Sequence, residues 1–324
     1  MFLYILKRIL SAIPVIFLGL TITFFIVRLT PGDPTAKYIS PAIDPSVREV
    51  IIKRFGLQEP VYIQYLKWID RFILHFDFGT SFESGIPVSE ILKEAIPNTF
   101  ILTFLAFFIS VILGVALGVI SAVRKDSLID NFTSISSILA YSIPIFWLGL
   151  MSIVLFSVVL KWLPSSHMKS LNYNYLTFIG KIADRIKHLI MPAAVLGVGS
   201  AAVNARYMRN SLLEVINQDY IVTARSKGLS EKIVILKHAM RNAVLPIITL
   251  GGLSIPFLLS GSVITEIVFS WPGMGRVTVT AILARDYPIV IASSFLAFCA
   301  VIAGNLMADL GYALADPRIK LVEK

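Results

Sequence analysis

The chain has 324 residues and a formal net charge of +9; 56% of its residues are hydrophobic and only 15% are charged. A soluble domain normally has about a quarter of its residues charged, so the composition excludes an ordinary soluble protein. The single cysteine, Cys299, excludes an intrachain disulfide, and four scattered histidines without an HExxH pair predict no metal site. In such an apolar chain the positive charge is typical of basic loops that face anionic lipid.

Six runs without Asp, Glu, Lys or Arg divide the chain. Each is long enough to cross about 30 Å of hydrocarbon as a helix. Because backbone polar groups must be paired within lipid, the runs predict an all-α integral membrane protein with six transmembrane helices. The runs are Ile9–Val27, Ala95–Val123, Asn131–Leu160, His188–Ala205, Asn242–Thr265 and Tyr287–Ala308.

The basic residues predict the orientation of the spans. Lys7 and Arg8 precede the first run as they would in a signal peptide, but the run is too long and Val27–Pro31 offers no cleavage site, so we expect a retained anchor. With the N-terminus inside, cytoplasmic segments hold 14 Lys and Arg residues and the two short outer loops hold seven. Both termini are therefore expected in the cytoplasm.

The outer loop Pro31–Glu94 is too long and too patterned to be a simple link. Asp44 can cap a helix that has Pro45 at its first position and Gly56 at its end. A second amphipathic segment, Val61–Phe76, follows, and we expect a small folded helical cap outside the membrane. The apolar stripe of the second segment is assigned to Ile63, Leu66, Ile69, Phe72, Ile73 and Phe76.

The cytoplasmic loop Arg206–Arg241 predicts two helices joined by a glycine turn. Gly228 supplies the left-handed residue that ends the first helix, and Ser230 can cap the second. Pro246 follows where the chain enters the fifth run. The apolar face of the first helix is assigned to Leu212, Ile216, Tyr220 and Ala224, which recur every four residues. The face of the second helix is assigned to Ile233, Leu236, Met240 and Ala243.

A basic helix–turn–helix has three interpretations. DNA binding is the weakest, because transmembrane helices anchor the loop at both ends and leave little freedom to enter a groove. The loop could instead lie on lipid headgroups, or it could dock a cytoplasmic partner. The chain has no GxxxxGK[ST] motif, so we expect any ATP that drives it to be bound by another polypeptide.

Other membrane functions fit the runs poorly. A proton-coupled transporter usually needs an ionisable residue near the middle of the membrane, whereas Glu266 and Asp309 lie at span ends. No Ser–His–Asp or paired-carboxylate arrangement indicates an intramembrane enzyme, and no catalytic residue is assigned. Gly197 and Gly199 in the fourth run indicate close helix packing rather than a nucleotide-binding fingerprint.

Motifs along almost the whole chain resemble one family. The sequence DYIVTARSKG at Asp219–Gly228 and HAMRNAVLP at His238–Pro246 is similar to the cytoplasmic loop of ABC importer permeases, in the variant of the dipeptide/oligopeptide/nickel family. Pro31–Pro34 and the long outer loop resemble the first of that family's two permeases. One departure is His167, which follows Leu163-Pro-Ser-Ser where the family often has a glycine. Further matching motifs are Phe55–Leu57, Asp77–Gly79, Ile143–Gly149, Trp271–Gly275 and Asp316–Arg318.

The resemblance implies a type I importer in a bacterial or archaeal plasma membrane. Its parts would be two unlike permeases, two cytoplasmic ATPase subunits that bind ATP and Mg, and an extracytoplasmic solute-binding protein. This chain itself would bind no cofactor and would not be an enzyme. Its expected divisions are residues 1–97 for the first span and cap, 98–312 for a five-helix core with a coupling loop at 206–242, and 313–324 for a cytoplasmic tail.

The resemblance also assigns site residues. A coupling helix that ends at Gly228 would sit in a groove of an ATPase subunit and carry its motion into the spans. Ala224 would be small because the helix approaches that partner closely. The other coupling residues are Asp219, Tyr220, Thr223, Arg225, Lys227 and Leu229. A turn after the fifth span, broken by proline and glycine, would narrow the outer mouth and touch the binding protein. The residues of this predicted outer gate are Trp271, Pro272, Gly273 and Gly275.

The expected cargo is a di- or oligopeptide. The same machinery could import nickel, a metal chelate or an oligosaccharide, because selectivity in such systems rests largely with the binding protein. A membrane scaffold or enzyme outside the ABC class is the distant alternative.

Overall fold

The computed structural model describes residues 2–31, 56 and 58–315, and this part of the chain contains helices and no β-strand. Two π-helical turns follow helices, at Asp70–Leu74 and Ile153–Val159, and a third lies at Val234–Ala239. The helices in chain order are α1 (Phe2–Leu29), α2 (Val61–Ile69), α3 (Val88–Val123), α4 (Leu128–Ser142), α5 (Ile145–Ser152), α6 (Phe178–Ile216), α7 (Asp219–Ser226), α8 (Glu231–Ala243), α9 (Leu245–Ser260), α10 (Val263–Val268), α11 (Met274–Ala284) and α12 (Tyr287–Ala315).

In the described part of the chain, four helices, α1, α3, α6 and α12, are long and apolar enough to cross a membrane, and two bent helix pairs pass the same test. Counting each pair as one span gives the predicted six. The third run is not one straight helix, because α4 and α5 meet at an angle of 99°. Pro144 cannot donate a helical hydrogen bond and forces Ile143 into an extended conformation, with ψ of 125°. The second pair, α8 and α9, bends by 45°.

Small residues set the packing of the central helices. A Cβ on Gly118 of α3 would lie 2.6 Å from the carbonyl oxygen of Ala205 in α6. A Cβ on Gly197 of α6 would lie 2.8 Å from the carbonyl oxygen of Ala106. The prediction that Gly197 permits close helix packing is therefore confirmed. Gly199 has open space around it, so it does not share this role.

Several predictions concern residues outside the described part of the chain. These are the helix that begins at Asp44, most of the Pro31–Pro34 and Phe55–Leu57 motifs, and the tail beyond residue 315. Gly56 is described, and its φ of +61° is the left-handed value expected of a residue that ends a helix.

The second cap segment is helical as predicted, but the side that packs against the rest of the protein is not the assigned apolar stripe. Tyr65, Trp68 and Phe72 pack against α1 and α12, whereas Leu66 and Phe76 from the assigned stripe are exposed. Aromatic side chains decide the packing face because they bury more apolar area than the aliphatic ones beside them. The assigned stripe contributes Phe72 to this contact.

Candidate functional site

The cytoplasmic loop begins with a break that the sequence prediction missed. Helix α6 ends at Ile216, and Gln218 is extended with φ −81° and ψ 148° before α7 begins. Asn217 donates a side-chain hydrogen bond of 2.8 Å to the carbonyl oxygen of Leu213, which competes with helix continuation. The prediction that Leu212, Ile216, Tyr220 and Ala224 share one helix is wrong for this reason.

Helix α7 is held against its own chain. Ile221 and Ala224 are buried in a cluster with Met208 and Leu212 of α6 and Val234 of α8. The explanation given above for Ala224 is therefore wrong. Its side chain faces the core of this chain, and it is small because α7 packs closely on α6 and α8.

The opposite face of α7 is exposed to the cytoplasmic side. On this face the apolar side chain of Val222 is 52% exposed. Sequence analysis omitted Val222, although its position two residues before Ala224 places it off the buried face. Apart from Ala224, the coupling residues predicted from the sequence are exposed, namely Asp219, Tyr220, Thr223, Arg225, Lys227, Gly228 and Leu229.

Gly228 ends α7 as predicted. Its φ is +75° and its N–H donates to the carbonyl oxygen of Arg225 at 2.9 Å. Across this turn, Arg225 forms an ion pair with Glu231, with Nη2 and Oε1 2.6 Å apart. The hydrogen bond from Arg225 to Glu231 raises the pKa of the arginine above its ordinary value. Ser230 occupies the N-cap position of α8 without a side-chain capping bond.

A π-helical turn displaces the buried face of α8. Val234, Ile235, Ala239 and Ala243 are buried, whereas Ile233 and Leu236 from the predicted face are exposed. A π turn bonds each residue to the fifth along rather than the fourth. The α-helical spacing therefore assigns Ile233 and Leu236 wrongly, whereas Ala243 is buried and Met240 packs against the same cluster, as predicted.

An ion pair missed by sequence analysis lies near this loop. Asp130 of α4 is 2% exposed and accepts two hydrogen bonds from Arg209 of α6, from Nε at 2.6 Å and from Nη2 at 2.7 Å. Ser121 of α3 and the N–H of Asp126 also donate to this carboxylate. Three helices are thus joined at one group. The spacing Ser127-x-x-Asp130 is a capping signal that indicates a helix start but not the arginine partner.

A cavity of about 640 Å³ opens between α3, α6, α9 and α10. Among the described residues its lining contains no charged side chain. Asn204 of α6 donates to the hydroxyl of Ser110 of α3 at 2.7 Å. The polar lining residues are Thr103, Ser110, Ser200, Asn204, Ser254 and Ser262.

The predicted outer gate is a buried turn built around one carboxylate. Glu266 of α10 is fully buried and accepts from the hydroxyl of Thr99 at 2.8 Å and from the N–H of Arg276 at 2.9 Å. The same Thr99 hydroxyl accepts from the N–H of Met274 at 2.7 Å. The indole N–H of Trp271 donates to the carbonyl oxygen of Asn98 at 2.9 Å. These bonds attach the turn to α3, and Gly261–Ile264, which precede the turn in the chain, are part of the cavity lining.

The side chain of Trp271 is 1% exposed, and Gly273 and Gly275 are buried. A direct contact of these three residues with a binding protein therefore does not fit the structure, and Pro272 is only half-buried. A Cβ on Gly273 would lie 2.5 Å from both the Thr99 hydroxyl and Cδ of Glu266. Glycine is thus required here by space, and the turn has a supporting role.

His167, which stands where a glycine was expected, adopts the left-handed conformation with φ +68°. Its N–H donates to the carbonyl oxygen of Phe269 at 2.9 Å, which joins the outer loop to the buried turn. Histidine tolerates this conformation better than most residues do.

Two family models match most of the chain. The model described as "Binding-protein-dependent transport system inner membrane component" matches residues 114–321. The model described as "Binding-prot-dependent transport system membrane comp, N-term" matches residues 1–103.

Curated relatives match over nearly their full length. The "Oligopeptide transport system permease protein AppB" of Bacillus subtilis is 42% identical over 319 residues, covering 98% of this chain and 99% of the relative. The "Di/tripeptide transport system permease protein DppB" of Pseudomonas aeruginosa is 38% identical over 331 residues, covering 98% of each.

A solved structure supports the fold. A chain in the inward-facing structure of the MetNI methionine ABC transporter aligns with a TM-score of 0.50 and 18% identity, covering 69% of this chain and 97% of that one. At this identity the similarity shows the fold alone. The family matches and full-length relatives confirm the resemblance seen in the motifs. The chain belongs to the inner membrane components of binding-protein-dependent transport systems, the permease subunits of ABC importers.

Proposed function

We propose that this permease imports di- and oligopeptides across the plasma membrane. The observation that carries the proposal is the match, over almost the full chain, to relatives named as oligopeptide and di/tripeptide permeases. The cavity supports it. Peptides share a backbone but differ in side chains, and a wall of apolar groups with neutral hydroxyls and amides can accept the backbone without selecting one side-chain charge.

The proposed importer consists of this permease, a second permease, two ATPase subunits that bind ATP and Mg, and a solute-binding protein. The exposed face of α7 is the surface we assign to the ATPase. On this face Val222 presents apolar area beside the exposed polar side chains of Asp219 and Ser226, as the core of a protein interface does. Tyr220 and Leu229 are exposed elsewhere on the loop.

The packing gives the coupling a physical route. Motion of α7 is passed to α6 through the contacts of Ile221 and Ala224 with Met208 and Leu212. Helix α6 continues to Leu196, Ser200 and Asn204 in the cavity wall. Because α7 is packed against α6 on one face and would contact the ATPase on the other, a displacement of α7 is passed to α6, since close-packed interiors compress little.

Val222→Asp is expected to lower ATPase retention and ligand uptake together. The added carboxylate must be desolvated at an apolar contact, and a buried charge without a partner is costly. The measurement is the amount of ATPase subunit that co-purifies with the permease pair. Val222→Thr, which keeps the shape and adds no charge, is the matched control and should resemble the native protein. If Val222→Asp retained as much ATPase as the native protein, the proposal that this face of α7 binds the ATPase would be contradicted.

The cargo is tested by native mass spectrometry of the cognate binding protein, purified with its ligand from cells. The proposal expects a mixture of short peptides bound to it. A single nickel chelate or an oligosaccharide as the bound species would contradict the peptide assignment while leaving the permease family unchanged.

A further inference from the structure

The helix within the first outer loop, α2 with its π turn up to Leu74, has more apolar surface than the protein covers. On one side Tyr65, Trp68 and Phe72 contact α1 and α12. Next to this aromatic side lies a second apolar strip that is open, with Leu66 61% exposed and Ile73 44% exposed. The apolar arc therefore extends beyond the intramolecular contact.

The contacts fix the depth of this helix relative to the spans. The Tyr65 hydroxyl and Thr21 of α1 share a hydrogen bond of 2.8 Å. Thr21 lies six residues before Val27, the last residue of the first uncharged run, which corresponds to about 9 Å along a helix. The helix therefore contacts a part of α1 that lies within the hydrocarbon.

A second, independent contact gives the same depth. The rings of Phe72 and Phe295 are 5.1 Å apart between centroids. Phe295 lies eight residues after Tyr287, where the last uncharged run begins, which corresponds to about 12 Å along α12. Both contacts place the helix beside the outer halves of the spans and below their ends.

Lys67 and Arg71 lie away from this strip, whereas the exposed Asp70 is four residues after Leu66 and lies at the edge of the strip. Lys67 forms an ion pair of 2.5 Å with Glu59, and Arg71 lines the same cleft, which has a volume of about 280 Å³. Arg28 at the end of α1 also lines this cleft and lies over the ring of Tyr287 at 4.8 Å. A polar side at the level of the span ends and an apolar side below it are typical of a helix that lies in a membrane interface.

We propose that Val61–Leu74 is an interfacial helix whose open apolar strip lies among the acyl chains of the outer leaflet. It would then be part of the membrane-embedded body rather than a cap standing in the aqueous phase. The first span, on which it packs, is itself open at Leu18, Ile22 and Ile26, so the strip would continue a lipid-facing surface. This inference does not depend on the cargo or on the ATPase contact.

The test uses nitroxide spin labels on the assembled complex in vesicles of phosphatidylcholine and phosphatidylglycerol. Single cysteines at Leu66 and Ile73 are made in a Cys299→Ala background. Lys67 serves as the matched control on the polar side, and Leu18 serves as a reference within the first span. The expected result is that labels at Leu66 and Ile73 collide several-fold more with oxygen than with a water-soluble nickel complex. The label at Lys67 should show the opposite preference.

Preferential collision with the nickel complex at Leu66 and Ile73 would place the strip in water and overturn the proposal. Low collision with both reagents would mean that the second permease or the binding protein covers the strip, and it would overturn the proposal equally. The two positions are read independently, so a label that prevents assembly at one leaves the other decisive.

Discussion

Gly273→Val is expected to abolish uptake. Even a Cβ at this position would lie 2.5 Å from the Thr99 hydroxyl and from Cδ of Glu266, and the remaining valine carbons add to the overlap. The turn must then separate from α3, which breaks the hydrogen bonds that Thr99 makes to Glu266 and Met274. Uptake of labelled ligand into cells is the measurement, with the amount of assembled complex determined in parallel.

Gly199→Val is the matched control for this substitution. Gly199 is also a glycine of the membrane-spanning part, but a Cβ there would have no neighbour within 4 Å. This variant should transport at the native rate. Native uptake by Gly273→Val would show that the turn yields at little cost and that its attachment to α3 through Thr99 and Glu266 is not needed for transport.

Arg209→Ala is expected to destabilise the permease by about 3 kcal/mol, the lower end of the range for breaking a buried ion pair. The substitution leaves the carboxylate of Asp130 buried without its charged partner, while the partial exposure of Arg209 in the native protein limits the loss. The measurement is the thermal unfolding midpoint of the purified complex in detergent, together with its yield.

Arg206→Ala, three residues earlier on an exposed side of α6, removes the same charge and should leave the midpoint unchanged. The double substitution Asp130→Asn with Arg209→Ala should recover part of the loss, because no unpaired charge then remains buried. Equal midpoints for Arg209→Ala and Arg206→Ala would mean that the ion pair contributes nothing to stability.

The membrane fold could be predicted from the sequence because its strongest constraint is local. Lipid requires long uncharged helices, and these are visible as runs such as Ile9–Val27 without any knowledge of tertiary contacts. The role of Gly228 could also be predicted, since a left-handed position after a helix favours glycine. The 99° bend also had a local signal, the proline at position 144, but the uncharged run Asn131–Leu160 continues through it and was interpreted as one span.

Helix faces in the cytoplasmic loop could not be assigned by periodicity alone. The extended residue Gln218 and the π turn at Val234–Ala239 each change the register, and neither alters the pattern of apolar residues enough to be recognised. The expectation for Ala224 was wrong for a different reason. A small residue indicates a close approach, but the sequence does not say whether the neighbour belongs to the same chain.

The hydrogen-bond partners of the buried carboxylates could not be predicted from the sequence, for a further reason. Asp130 and its arginine are 79 residues apart, and Glu266 is 167 residues from the threonine that donates to it. Such pairs depend on how spans pack, and a single sequence carries no record of that packing. Both acids lie near helix ends, where the sequence suggests only polar anchors.

ATP hydrolysis by an ATPase subunit docked on the exposed face of α7 is expected to drive peptide import through this chain. This expectation is tested most directly in proteoliposomes that contain the assembled complex, with ATP inside and binding protein loaded with a labelled peptide outside. The account predicts peptide accumulation that requires ATP and is lost in Val222→Asp but retained in Val222→Thr. Accumulation without ATP, or accumulation by Val222→Asp at the native rate, would contradict it.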